Sequence, residues 1–363
     1  TGVTRCIEAR KNEDALTALT AVAGNKWAFA PTSSEFTQVN AFGHVKRIVA
    51  LYESALLQGH TNSLGATYRT SLPFSLYTQT GNWFRPFGET APVSLVINAD
   101  VAYDDNAFFK PSNFSLNFGS LSKYPTVKMA HDPSVIYHEA GHALIHTMLN
   151  FRNSVTSSSV PYRAEFMYGG YDEAGMLGEG LADVFSYLMN QRTHIGEWAL
   201  GRFLKASRPL TESDPIHASS VSSDINGRLS YPTFLNYDPN EANKSFEDIH
   251  YAGQIASHFM VAFMQSAKST CAFSHDTMRK YYLNILTETL AELGDLTGRG
   301  YDNGFQSTVN LTSAYSEHAL EWQRLSNPIN VRKFFQTFSK YTMNILSNSS
   351  TNRCNGTVYP RST

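Results

Sequence analysis

The chain has 363 residues, 42% of them apolar and 17% charged. With a formal net charge of -2 and no run of Lys and Arg, it reads as a packed globular protein without an electrostatic footprint for nucleic acid or an anionic membrane surface. Its richest apolar stretch, HFMVAFM from His258, is far shorter than the roughly 18 residues a membrane span needs.

This length exceeds one ordinary core, so two domains, or one large domain with insertions, are expected. The chain opens on TGVTRCIEAR, with neither an initiator Met nor an apolar signal region. We therefore expect a secreted or cell-envelope (periplasmic) protein from which an N-terminal leader has been removed. Cys6, Cys271 and Cys354 form no CxxC pair, which argues against a cysteine zinc site. One disulfide with a leftover thiol and three free or buried cysteines are both open. Asn-x-Ser/Thr sites at Asn113, Asn243, Asn310, Asn348 and Asn355 matter only in a glycosylating pathway.

Along the first part of the chain, NAFGHVKRIVALYESALLQ puts Phe42, Val45, Ile48 or Val49, Tyr52 and Leu56 on one helical face. Next, PVSLVIN alternates Val93, Leu95 and Ile97, and FSLNF alternates Phe114, Leu116 and Phe118, the two-residue period of half-buried strands. Beyond residue 150 the long periodic segments are helical, roughly 179–191, 252–268, 278–293, 313–325 and 329–346. The predicted fold is α+β: a mixed half over 1–150 and a mainly helical half over 151–363.

Between them lies SVIYHEAGHALIH, residues 134–146, with histidines at intervals of four. Asp132 is placed to cap a helix and Pro133 to open it at the position where proline is best tolerated. On that helix His138 and His142 share a face and can converge on one ion. Glu139 lies about 100° further round, where its carboxylate can serve as general base towards a water. His146 is about 12 Å along the axis from His138 at 1.5 Å rise per residue, too far to bind the same ion, and is expected either to pack or to support a ligand from behind. HExxH arises by chance in roughly a few chains per hundred of this length, so a third ligand is needed.

AGMLGEGLADVFSYLMN supplies one. Glu179 and Asp183 lie one turn apart on a second helix, so Glu179 can bind the metal while Asp183 accepts the free ring N–H of a ligating histidine. The competing account is that both carboxylates only complement the positive end of their helix.

HEAGH followed by GEGLAD resembles the glutamate zincins, the zinc peptidases whose third ligand is a glutamate, and in particular the thermolysin-like and fungalysin-like families. The resemblance covers residues 40 to about 265. It implies a thermolysin-like two-domain zinc endopeptidase, with the HExxH helix at the domain junction and one catalytic Zn2+. It also implies that the edge-strand segment DDNAFFKPSNFSLNFG binds the substrate main chain through Asn106 and Ala107. FEDIHYAGQIASHF is similar to the segment that supplies the oxyanion histidine, which nominates His250 over His258. HIGEWALGRFLKASRPLTESDP is similar to the stretch ending in an arginine, here Arg208, that holds the oxyanion histidine or the substrate carbonyl. VNAFGHVKRIVALY matches an early helix of the fungalysin-like pattern.

Some features depart from that pattern. The interval from His142 to Glu179 is longer and implies an inserted loop containing NSVTSSSVPYRAEF. The oxyanion tyrosine maps to Tyr171, one residue out of register, with Tyr168 as the alternative. No segment matches the acidic cluster that binds structural Ca2+. The resemblance therefore implies a divergent branch, a monomer acting on peptides or proteins. A zinc hydrolase of another acyl bond and a catalytically silent peptide-binding protein are the competing readings.

Overall fold

The computed structural model describes residues 7–10, 29–63, 95–102, 105–149, 173–204, 207–211, 249–300 and 331–347. The described chain is mixed helix and sheet, and helix predominates. Contacts divide it into two compact units. The first takes Thr1–Leu51, Ser75–Thr147 and Ala182–Arg208; the second takes Tyr52–Phe74, Met148–Leu181 and Pro209–Thr363. The change of hydrophobic period near residue 150 is a different division of the same chain.

The first unit holds a four-stranded sheet of β1 (Ile7–Arg10), β2 (Leu95–Asn98), β3 (Ala107–Lys110) and β4 (Ser115–Phe118), in the order β1-β2-β4-β3. β1 and β2 are parallel, as are β2 and β4, whereas β3 runs antiparallel to β4 and lies at the sheet edge. The turn between β3 and β4 ends at Phe114, whose φ of 52 is in the left-handed region. A phenylalanine there carries roughly 1–3 kcal/mol of strain, which the complete burial of its ring offsets.

β4 differs from the half-buried strand its alternation predicts, because Ser115 and Asn117 are as buried as Leu116 and Phe118. Their polar groups pair with one another and with neighbouring strands. Asn98 Nδ2 donates to Asn117 Oδ1 at 2.7 Å, Asn117 Nδ2 donates to Ser115 Oγ at 3.0 Å, and Ser115 Oγ donates to Asn113 Oδ1 at 2.7 Å. A buried polar row of this kind is tolerated because its hydrogen bonds are made internally.

Helix α1 (Ser34–Ser63) buries a stripe of Ala41, Val45, Ile48, Tyr52 and Ala55, one position off the expected face at its start. Phe42 is only half-buried there. Two short ladders follow the sheet: β5 (Ser120–Leu121) with β6 (Tyr124–Lys128), and β7 (His194–Ile195) with β8 (Arg208–Pro209).

Helix α2 (Pro133–Leu149) begins as the sequence predicts. Asp132 Oδ1 accepts from Ser134 N at 2.9 Å and from Ser134 Oγ at 2.6 Å, and proline sits at the first helical position. The same carboxylate does a second job. Its Oδ2 accepts from Trp198 N at 3.1 Å and Ala199 N at 2.8 Å, while Gly196 N donates to Ser134 Oγ at 2.7 Å, so the π-helical turn Glu197–Gly201 is tied to the start of α2. Nearly every residue of α2 is buried, so the helix sits inside the unit rather than on its surface. Gly141 permits helix α3 (Glu173–Asn190) to cross closely, since a Cβ there would stand 2.9 Å from a ring carbon of Phe185.

The second unit is built on α4 (Ile249–Cys271), α5 (His275–Gly300) and α6 (Val331–Ser347). α5 packs on both α4 and α6, with Tyr282 and Phe338 ring centroids 6.2 Å apart in its core. These helices match the predicted segments 252–268, 278–293 and 329–346; the predicted helix 313–325 lies outside the described residues. Cys271 is disulfide-bonded, and the other two cysteines lie outside the described residues. Among the described residues, no helix is long and apolar enough to cross a membrane.

Candidate metal centre

His138 and His142 point from one face of α2 with their Nε2 atoms 3.2 Å apart and their rings nearly perpendicular. Both are buried, at 4% and 6% exposure. Together with Glu179 of α3, 9% exposed, they place ligand atoms within 4.8 Å of one another. Two imidazole nitrogens and one carboxylate oxygen, withdrawn from water, form a group that can hold a metal ion. Glu139 is also buried, its Oε1 4.0 Å from His138 Nε2.

A second layer fixes the first histidine. His138 Nδ1 lies 2.7 Å from Asp183 Oδ1, and Asp183 is fully buried. Arg208 of β8 donates from Nη2 to Asp183 Oδ1 at 2.6 Å and from Nε to Oδ2 at 3.2 Å. Burial alone would raise the Asp183 pKa. The Arg208 and His138 partners outweigh it and hold the carboxyl below its ordinary value. An ionised Asp183 accepts the Nδ1 proton of His138, which leaves Nε2 as the lone-pair donor facing the metal group. The 3.3 Å approach of Arg208 Nη2 to His138 Nδ1 follows from two donors sharing one oxygen.

Asp183 stands where the one-turn spacing predicts, against His138, and Arg208, to which the resemblance gives the oxyanion histidine or the substrate carbonyl, pairs with Asp183. Arg208 is buried, and its two bonds to Asp183 attach it to the support of His138. No local pattern signals a partnership between residues 25 positions apart on a strand and a helix.

His250 is the second residue of α4, and its Nε2 lies 3.5 Å from Glu179 Oε2 with the side chain 45% exposed. His258, the competing histidine, is buried and donates a ring N–H to the carbonyl of Pro209 at 3.0 Å. Asn106 is exposed just before edge strand β3, and Ala107 pairs with Phe118 of β4. Tyr171, its alternative Tyr168 and the expected inserted loop lie outside the described residues.

His146 takes no part in the group. It is buried edge-on against Phe109 and Phe114, at centroid distances of 5.7 and 5.5 Å, and burial pushes its pKa down to about 3. The axial separation from His138 excludes a shared ion, and of the two remaining roles this is the packing one. Among the described residues, His138, His142 and Glu179 form the one group of three or more such side chains placed to hold an ion. Comparison with known protein families gives no matching family model, and comparison with curated proteins gives no match.

Proposed function

We propose that the protein is a zinc-dependent endopeptidase of the thermolysin-like two-domain kind. The observation that carries this reading is the buried His138, His142 and Glu179 group with Glu139 beside it and Asp183 orienting His138. Histidine and carboxylate ligands at this number suit a catalytic zinc, which leaves a further coordination position open. Zinc held there would supply Lewis acidity, lowering the pKa of a bound water to about 7.

The chain's own residues would do the rest. Glu139 takes the proton of the attacking water and passes it to the leaving amine. His250 donates an N–H to the developing oxyanion, with Tyr171 as its assigned partner. An extended substrate adds along β3, the last strand of its sheet among the described residues, with Asn106 and Ala107 meeting its main chain. The disulfide at Cys271 supports a secreted or cell-envelope location, since such bonds persist in oxidising compartments.

The test compares the zinc-loaded protein with Glu139→Gln and His142→Ala on a diverse peptide pool, read by product mass spectrometry and metal analysis. Internal cleavage by the wild type, zinc retained without cleavage in Glu139→Gln, and zinc lost in His142→Ala are expected. Full activity in Glu139→Gln would sink the assignment of the base. Zinc bound without peptide cleavage by the wild type would move the reading to another acyl bond, tested with an ester panel.

A further inference from the structure

The first unit contains a cavity of about 490 Å3 that none of His138, Glu139, His142 and Glu179 lines. It lies beside the start of α2, and its size falls within the roughly 300–1,000 Å3 of small-molecule sites. Its apolar walls include Trp198, Met189 and Tyr137.

The charges around it are unequally satisfied. Asp132 accepts four hydrogen bonds, from Ser134 N, Ser134 Oγ, Trp198 N and Ala199 N, so its oxygens are committed to holding the fold. Glu197 is paired with Arg192 at 2.6 Å. Arg47, on the exposed side of α1, has no hydrogen bond or ion pair with a described residue and lines the same cavity. Next to it, His44 Nδ1 is bonded to the Tyr137 hydroxyl at 2.6 Å, which fixes the ring and leaves Nε2 for a ligand. A guanidinium unpaired among the described residues, a positioned imidazole and an aromatic wall suit a ligand with an anionic end and an apolar body.

We propose that this cavity binds a small organic carboxylate, with Arg47 pairing with the carboxylate and Trp198 and Met189 covering its apolar part. Guanidinium is the side chain best matched to a carboxylate, because its planar N–H fork meets both oxygens.

The experiment is a saturation-transfer NMR titration of the full chain with 3-phenylpropanoate and with its neutral analogue 3-phenylpropanamide. It is repeated on Arg47→Ala, on Arg47→Gln, which keeps the length of the stem, and on Lys46→Ala, which removes a neighbouring exposed charge that does not line the cavity. Binding of the carboxylate, at least tenfold weaker binding of the amide, at least tenfold weakening in both Arg47 variants and less than twofold change in Lys46→Ala are expected. Unchanged affinity in either folded Arg47 variant would overturn the proposal, because binding would then be elsewhere, including at a metal. Equal weakening in Lys46→Ala, or no saturation transfer to 3-phenylpropanoate at millimolar concentration, would overturn it as well.

Discussion

Gly180 and Gly253 meet backbone to backbone. A Cβ on Gly180 would stand 2.3 Å from the carbonyl oxygen of Gly253, and one on Gly253 would stand 2.7 Å from Gly180 N. α3 and α4 can therefore approach closely only with glycine at both positions. Glu179 adjoins this crossing, and His250 lies one turn before it. Gly180→Ala is expected to cost about 1–3 kcal/mol of stability by overpacking and to weaken metal binding by displacing Glu179. Gly43→Ala is the control: Gly43 has nothing within 4 Å of a new Cβ, so it should gain roughly 0.5–1 kcal/mol. Thermal melts and competitive metal titration of both variants check this. Intact metal affinity in Gly180→Ala would show that the crossing does not set the position of Glu179.

Asp183→Asn leaves the Arg208 guanidinium buried against a neutral amide. A loss of roughly 3 kcal/mol, with metal affinity about 10- to 100-fold lower, is expected. The sign of the pH effect follows from the depressed pKa of Asp183. The unfolded chain binds the extra proton first as pH falls, so this contribution is complete above the ordinary value of 3.8 and disappears below it. Urea unfolding at pH 7 should reveal the full difference between wild type and variant; no difference there would exclude an ionised Asp183 as a stabilising partner.

His146 acts in the opposite pH direction from a histidine that gains a charged partner. Its pKa is pushed down to about 3 in the folded protein, against 6.5 ordinarily, so the unfolded state binds more protons between those values. Stability must fall as pH drops from about 6.5 towards 3, by up to about 1.4 kcal/mol per pH unit. His146→Leu should flatten that dependence in metal-free protein followed by urea midpoints from pH 7 to 4. Equal steepness in both proteins would place the acid sensitivity elsewhere.

His250 and His258 are separated by their surroundings, and their variants should differ in kind. On the peptidase reading, His250→Ala keeps the metal and the fold and lowers kcat by about 10²–10³. His258→Ala instead removes a buried donor to the Pro209 carbonyl and should cost about 1–3 kcal/mol of stability. Steady-state kinetics beside thermal melts distinguishes the two. A purely structural effect of His250→Ala would remove it from the chemistry.

Local signals were sufficient for much of this protein. Asp132 and Pro133 mark the start of α2, and helical geometry turns the four-residue spacing of His138 and His142 into a shared face while removing His146 from any shared ion. The choice of Glu179 and Asp183 rests on the same one-turn rule, applied to α3. These features depend on neighbours in sequence, where the backbone period alone fixes which side chains share a face. Only the tertiary structure decided the rest: that Arg208 closes on Asp183, that β4 is buried on both faces, that Gly180 and Gly253 touch, and that Arg47 lines a cavity with no carboxylate paired to it among the described residues. Each depends on which distant segments pack together, and that is set by the sum of many weak burial terms rather than by any local period.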